Sequence, residues 1–590
     1  MCGILGLYCT SPESEVGFKE ALRLQEHRGP DETRQCFFTD CHFLLGANRL
    51  SILDFEHGSQ PLQNRDGTIA LSFNGEIFNA KELRQILSNE GVCFESDHSD
   101  TEVVLRGYIK YGLEFISMLN GMFAVVIIDT LQEKVIGIRD RFGIKPFHFF
   151  FDTNFFACSS ELKPLLTLMK IGSKTISIDK KSVSEYLQIG FISAPQSIYS
   201  NVKVLEPGHY VEFDLRTKVT PKSKPWKQTK GNWGVIPEPE LAQVVRRGFL
   251  EAVDRWTYSD HPLALSLSGG LDSTCILIAS EILGVKLETF SLVFNEPSLS
   301  FWDESKNIYE IRRSFGTKHQ DVQLSAVDLS QSITKIVRHL GQPYGGGLPS
   351  YRVFQEVSKS YRVCLTGTGG DELFGNYGRH SLIGESSITS QKSLDEHYTK
   401  KIYKTRATLL ARIFRNLDFS QEINNWYFHF KFGTNIKLEE RLEQLNLKTQ
   451  LPDEFLFATD RLSMMYSVEA RTPFLDNVFA GNVLSIDSGI RHRLPIKELL
   501  RSAFKIELDK LNLSAPKKGF SLPLSNWLRG DLREWGESSL NNPKLVDYLG
   551  VDLAALLEVY ENFLSGNNDN ILMLWRVMMF SAWLYEAEDL

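Results

Sequence analysis

The pattern of apolar and polar positions divides the chain into two textures. Through residues 1–214 the apolar positions come in short runs. "TIALSFNGEIFN" (68–79) alternates apolar and polar residues over part of its length, the period of a half-buried strand. "MFAVVIIDT" (122–130) and "KVIGIRD" (134–140) are rich in β-branched residues and separated by "LQE", which predicts a hairpin. Many short strands with two or three helices predict stacked sheets between helices.

The texture then changes. "RTKVTPKSKPWKQTKGNWGVIPEPE" (216–240) is rich in Pro, Gly and Lys and has no period. It reads as a linker over 215–239, between a domain at 1–214 and another at 240–590. Its basic cluster reads as a solvated face rather than a nucleic-acid patch. Strand and helix alternate beyond it. Leu241, Val244, Val245, Phe249, Leu250 and Val253 mark one helix face. "PLALSLS" is a strand, "STCILIASEIL" a helix, "LETFSLVF" a strand, "SKNIYEIRRSF" a helix and "YRVCLTG" a buried strand. This rhythm predicts a parallel, doubly wound sheet. From about residue 378 the chain reads as mainly helical.

Composition narrows the class. The 590 residues are 42% hydrophobic and 23% charged, ordinary for a soluble protein with two or more domains. A net charge of −8 argues against nucleic acid or anionic membrane as the main partner. No charged segment followed by an apolar one opens the chain, so no secretory signal is expected. "ILMLWRVMMFSAWL" (571–584) comes closest to a membrane span, but it is short and carries Arg576. It reads as a buried helix. The eight Cys contain no CxxC pair, which fits a reducing, cytoplasmic setting.

Two short stretches carry chemistry. The chain opens "MCGILGLY". Once Met1 is removed, Cys2 has its own α-amine beside its thiol. That amine has a reference pKa of about 8 and can take the thiol's proton near neutral pH. Further on, the strand "LALSLS" runs into "SGGLDST" and then a helix. Gly269 and Gly270 let backbone approach an anion, and the helix aims its N-terminal amides at the same spot. Ser268, Ser273 and Thr274 add hydroxyls, and Asp272 offers a ligand for Mg²⁺. No GxxxxGK[ST] is present, so this is not a Walker loop. SGGxDS between strand and helix resembles the pyrophosphate loop of enzymes that cleave ATP to AMP and pyrophosphate.

Twelve runs in order extend that likeness: "MCGI", "HRGPDE", "NRLSILD", "FNGEIFN", "SDTEVV", "LNGMFA", "RDRFGIKP", "SSELK", "LSGGLDST", "GTGGDELFGNY", "DRLSMMYSVEARTPFLD" and "PKKGF". Over nearly its whole length the chain resembles the glutamine-dependent asparagine synthetases. The resemblance implies a four-layer αββα domain of the N-terminal-nucleophile hydrolase type, of α+β class. It also implies a doubly wound parallel α/β domain of the PP-loop type with a helical extension. Cys2 would then be the nucleophile of a glutaminase. Asn74 and Gly75 match the oxyanion hole, Arg49 the grip on the glutamine α-carboxylate and Asp100 the contact to its α-amine. Ser268, Gly269, Gly270, Asp272, Ser273 and Gly367 would hold ATP, with Asp272 on Mg²⁺. Lys517 in "PKKGF" matches a lysine that steadies the phosphates. Asp371 and Glu372 match an acidic loop facing the site, with helix capping as the competing reading. "EARTPFLD" (469–476) would help form an ammonia passage, and Glu76 has no assigned role.

The synthetase half departs from the family in three places. Gln342 stands where a Glu is usual, Gly345, Gly346 and Gly347 where an acid follows, and Thr368 where an Asp or Glu is common. Gln cannot accept a proton at pH 7. The departures leave three readings: another acceptor facing a roomy Gly-rich wall, another base, or slow synthesis. The leading expectation is ATP- and Mg²⁺-dependent amidation, with glutamine as donor and aspartate as acceptor. The alternatives are the same chemistry on a sugar uronate or secondary-metabolite carboxylate, and a glutaminase or binding protein with a silent second half. Glutamine and a carboxylate are the expected partners, with no nucleic acid and no membrane; a homodimer is left open.

Overall fold

The computed structural model describes residues 1–9, 14–294, 299, 302, 304–375, 388, 390, 393–394, 407–419, 437–493, 495–511 and 522–587. In the first half, twelve strands form two sheets. They are β1 (Cys2–Tyr8), β2 (Glu32–Phe38), β3 (Phe43–Arg49), β4 (Leu62–Gln63), β5 (Ile69–Ile77), β6 (Gly121–Asp129), β7 (Lys134–Arg139), β8 (His148–Asp152), β9 (Phe155–Ser159), β10 (Lys203–Val204), β11 (His209–Asp214) and β12 (Ser223–Pro225). The orders are β10-β8-β9-β1-β3-β2 and β12-β11-β7-β6-β5-β4. The pairing is antiparallel, with Cys2 opposite Arg49 across β1 and β3.

Side-chain alternation explains the layering. Ile4, Phe43, Leu45 and Phe156 of one sheet meet Ala124, Val126, Ile128 and Phe213 of the other. Their neighbours on the opposite faces meet helices. Leu5, Leu7 and Leu44 pack on α1 (Ser14–Leu24) and α4 (Leu162–Ile171). Leu71, Phe73, Val125 and Ile127 pack on α2 (Ala80–Asn89) and α3 (Asp100–Tyr111). The result is the expected four-layer αββα sandwich. One expectation changes. The alternating stretch 68–79 reads as half-buried, but β5 is buried along its whole length. Its polar phase, Ser72, Asn74 and Glu76, points into the molecule instead of into water.

The second half holds β13 (Leu263–Ser266), β14 (Leu287–Val293), β15 (His319–Gln323), β16 (Val363–Leu365) and β17 (Glu469–Arg471). They form a parallel sheet in the order β15-β14-β13-β16-β17. α6 (Glu238–Trp256) and α7 (Leu271–Ile282) cover one face, against Leu263 and Leu265. On the other face, α9 (Ala326–Leu340) and α10 (Ser350–Val357) pack on Ala264, Phe290 and Cys364. The strand order reverses between β13 and β16, and in such sheets ligands bind at the carboxyl ends of the strands beside that point.

The helix Ile571–Glu586 is the buried helix expected from its sequence. Arg576 is carried inside it and donates to Gln188 O at 2.5 Å. No described helix is long and apolar enough to cross a membrane. The Pro- and Lys-rich stretch keeps Lys222, Lys224, Lys227 and Lys230 exposed. It is nevertheless tied down. Ser223–Pro225 pairs with β11, Trp226 Nε1 donates to Arg139 O at 3.0 Å, and Trp233 packs on Phe479.

The halves share their cores. Met1, Leu50, Ile52 and Phe78 pack with Trp256, Leu263 and Phe474. Buried charges cross the same seam. Arg28 donates to Asp460 Oδ2 at 2.9 Å and Oδ1 at 3.1 Å, and to Glu161 at 3.2 Å. Removing one partner of such a group leaves a buried charge uncompensated, at a cost of about 3–5 kcal/mol. Arg28→Met is therefore expected to lower the midpoint of thermal unfolding, with both halves losing structure together. Separate transitions at an unchanged upper midpoint would contradict this.

Candidate functional site

The first cluster gathers on β1, β3 and β5. Cys2 is 4% exposed and Asn74 is fully buried. The Cys2 amide donates to Asn74 Oδ1 at 3.0 Å. Asn74 Nδ2 is then left buried with no hydrogen-bond partner. A buried unpaired donor costs free energy unless something accepts from it. Here it belongs to the same amide that holds the Cys2 backbone, as an oxyanion donor would. Gly75 follows where strands press close: a Cβ there would lie 2.0 Å from Met122 O. Opposed residues of an antiparallel pair share a face, so Arg49 lies beside Cys2. Its guanidinium donates to Leu53 O at 3.0 Å, Asp54 O at 2.6 Å and Phe55 O at 3.3 Å. Asp100 begins α3 and accepts from Ile77 N at 3.0 Å. Burial pushes its pKa up.

Gln60 belongs to this cluster and is missed by motif reading. Its Nε2 lies 3.6 Å from Cys2 Sγ, and its Oε1 accepts from Phe73 N at 2.7 Å. Only its place in "GSQPL" hints at it. Burial pushes the Cys2 thiol up, while the positive chain terminus and Arg49 pull it down. That terminus is the Met1 ammonium, paired with Glu469 at 3.1 Å. Glu469 also accepts from Arg471 Nε at 2.6 Å, and Arg471 lies 3.6 Å from Glu76. Burial raises Glu76 well above the usual carboxylate range, and Asp100 adds to it. Glu76, without a role in the sequence reading, thus belongs to the seam.

The second cluster sits at the reversal point. The loop after β13 turns at Gly269, with φ of +69°. Ser268 N donates to Ser273 Oγ at 3.2 Å. The loop after β16 lies directly on the start of α7. A Cβ at Gly367 would fall 3.0 Å from Asp272 Cβ, and one at Gly370 2.6 Å from Asp272 Oδ1. Lys497 reaches in from outside both loops. Its ammonium lies 2.7 and 2.6 Å from the two oxygens of Asp272 and 2.7 Å from Asp371. No motif flags Lys497, which adopts φ of +62° inside "LPIKELL". Asp371 therefore pairs with a cation; the cap of its short helix is Gly369, and the capping reading fails. Glu372 is buried, and burial, then Asp371, pushes its pKa up to about 7. Two carboxylates sharing one cation beside a helix N-terminus suit a nucleotide phosphate with Mg²⁺. Lys517 lies outside the described residues.

Gln342 and the glycines that follow it stand elsewhere. Gln342 lines a cavity of about 30 Å³ at the seam, with Arg139, His148, Asp453 and Arg461. Gly345 does not face open room. Gly345 N donates to Gly190 O at 2.7 Å, and a Cβ at Gly345 would lie 2.7 Å from Arg576 Cγ. Thr368 remains in the nucleotide loop, its hydroxyl 3.3 Å from that of Thr366. A third convergence, His27, Glu161 and His339, has the spacing of a metal site. Arg28 and Arg461 lie 3.2 and 3.4 Å from the same Glu161 oxygen, and two guanidiniums there oppose a metal cation.

Comparison with known proteins agrees with this division. A glutamine amidotransferase domain model matches residues 1–226, and an asparagine synthase model matches residues 244–585. The chain is 29% identical over 629 aligned positions to asparagine synthetase [glutamine-hydrolyzing] 1 of Bacillus subtilis (strain 168), covering 99% of this chain and 96% of that one. It is 28% identical over 642 positions to a putative asparagine synthetase of Mycobacterium tuberculosis (strain ATCC 25618 / H37Rv), covering 99% and 97%. A putative asparagine synthetase 2 of Methanocaldococcus jannaschii is 33% identical over 402 positions, covering 64% and 76%. Among solved structures, glutamine phosphoribosylpyrophosphate amidotransferase from B. subtilis matches at a TM-score of 0.30 and 14% identity, over 56% of this chain and 92% of that one. The chain belongs to the asparagine synthase family, in the form that carries a glutamine amidotransferase domain ahead of the synthase.

Proposed function

We propose that the chain takes ammonia from glutamine at Cys2 and transfers it to a carboxylate activated by ATP, with aspartate the default acceptor. The observation that carries the reading is the pairing of two clusters on one shared core: Cys2 beside the unpaired Nδ2 of Asn74, and Lys497 between Asp272 and Asp371. With Met1 removed, the amine on Cys2 takes the thiol proton. The thiolate attacks the glutamine amide carbonyl, and the oxyanion receives Asn74 Nδ2 and the Gly75 N–H. Collapse expels ammonia and leaves a thioester, which water hydrolyses to glutamate. Arg49 and Asp100 hold the α-carboxylate and α-amine.

In the second half, Ser268, Gly269, Gly270, Ser273 and Gly367 line the phosphate seat, and Asp272 is the first candidate for Mg²⁺. The acceptor carboxylate attacks the α-phosphorus of ATP, pyrophosphate leaves, and the acceptor becomes a mixed anhydride with AMP. Ammonia attacks the anhydride carbonyl, forms the amide and releases AMP. The seam around Glu469–Arg471, which meets Met1 on one side and ends in β17 beside the nucleotide loop on the other, is the proposed route between the sites. Free ammonia in water would be protonated and lost as a nucleophile.

The departures from the family favour a second reading, the same chemistry on another carboxylate. Gln342, which cannot accept a proton at pH 7, stands where the family usually has the Glu that is its candidate base, and Thr368 stands where an acid is common. One experiment separates the readings. Glutamine, ATP and Mg²⁺ are supplied with and without aspartate, and pyrophosphate and asparagine are followed. Aspartate-stimulated pyrophosphate with asparagine formed supports the default. No response to aspartate, with stimulation by another acid in a screen, supports the second. Pyrophosphate from no acid at all overturns both.

A further inference from the structure

The loop that frames Arg49 is fastened to the other half of the molecule. Arg49 donates to three consecutive carbonyls, those of Leu53, Asp54 and Phe55. The arrangement depends on an unfavourable backbone, because Asp54 has φ of +48° and is not glycine. Asp54 Oδ1 partly compensates by accepting from His57 N at 2.9 Å. Gly58 then passes so close that a Cβ there would lie 2.0 Å from Arg49 Nη2. A loop of this kind needs outside support to keep one shape.

That support comes from residues 258–261, just ahead of β13. Asp260 Oδ2 accepts from Asp54 N at 3.1 Å and lies 2.9 Å from His98 Nε2. Asp54 N is also 3.3 Å from His98 Nε2. One imidazole nitrogen cannot donate to Asp260 and accept from Asp54 at once. The consistent arrangement has Asp260 Oδ2 accepting from both. His261 Nε2 lies 3.0 Å from Ser51 O, and the Phe55 ring meets the His261 ring edge-on at 5.2 Å. From behind, Arg471 Nη1 donates to Trp256 O at 3.0 Å and Tyr258 O at 2.6 Å. Asp260 thus stands between the Arg49 loop and the strand that ends in the nucleotide loop.

We propose that Asp260, a residue of the synthetase half, is a positioning residue for glutamine. It holds the 53–55 carbonyls in the shape that aims Arg49 at the substrate α-carboxylate. It touches neither substrate nor the reacting thiol. The inference rests on the proposed glutaminase at Cys2. It assigns the glutamine affinity of the first half in part to a side chain of the second.

The test is Asp260→Ala in the full chain, assayed for glutamate release and, separately, for pyrophosphate with ammonium replacing glutamine. The expected result is a KM for glutamine raised about tenfold. At saturating glutamine kcat stays within twofold, and ammonium-driven turnover is unchanged. Hydrogen exchange in the 50–58 segment should speed up, while that of β5 stays the same. Asp260→Asn keeps an oxygen acceptor for Asp54 N–H and should recover most of the affinity. An unchanged KM for Asp260→Ala overturns the proposal. So does an equal fall in glutamine- and ammonium-driven turnover, which would mark a general structural role. Absence of glutamate release from the unaltered chain would instead remove the glutaminase reading itself.

Discussion

Replacing Cys2 by alanine is expected to abolish glutamine-driven turnover, by about 10⁴-fold or more, while ammonium-driven turnover stays within about twofold. The size follows from losing a nucleophile for which the site has no substitute. The polar side chain in contact with the thiol is Gln60, whose Nε2 lies 3.6 Å away, and an amide is not a nucleophile. The selectivity follows from what alanine keeps. The backbone nitrogen at position 2 still faces Asn74 Oδ1, and β1 keeps its place between β3 and β9. Only one buried sulfur is lost, so the shared core changes little. Glutamate release and pyrophosphate formation, measured with glutamine and then with ammonium chloride, check both parts. Loss of ammonium-driven turnover as well would mean that Cys2 does not serve a separate ammonia-producing site.

The two sites were legible in the sequence to different depths, for physical reasons. Cys2, Asn74 and Asp272 lie in runs that carry the family resemblance, so local order points to them. The layering was legible because apolar phase maps directly onto which face a strand buries. Alternation alone misplaced the polar phase of β5. A polar side chain looks the same in sequence whether it faces water or a buried partner, and Asn74 and Glu76 face partners. Lys497 and Gln60 were invisible because their roles arise from chain segments far away. Lys497 meets Asp272 across 225 positions, and Gln60 meets Cys2 across 58. The Pro- and Lys-rich stretch has no period, and a single Trp at each of positions 226 and 233 is enough to anchor it. The reading of the glycines as open space failed at Gly345 for a related reason. A missing side chain signals either room or close backbone approach, and here Gly190 supplies the approach.

Lys497→Met is expected to cut pyrophosphate formation by about 10²–10³-fold, the usual cost of removing one charged or hydrogen-bonding group aimed at developing charge. Methionine keeps much of the length and bulk of lysine and none of its charge. Lys497 is 4% exposed and lies within 2.7 Å of both Asp272 and Asp371, so its loss takes one buried positive charge from between two carboxylates. Such a pair destabilises the fold by about 3–5 kcal/mol unless another cation enters. A divalent ion suits the same oxygens. The variant's thermal midpoint should therefore rise with added Mg²⁺, and more steeply than that of the unaltered chain. Glutamate release provides the control for folding, because the two halves share their cores and a misfolded second half would take the first with it. Retained glutaminase with lost pyrophosphate places the charge of Lys497 in the synthetase chemistry. Unchanged pyrophosphate formation would mean that the ammonium only fills a gap between two acids. Loss of both activities with no rescue by Mg²⁺ would make it a structural ion alone.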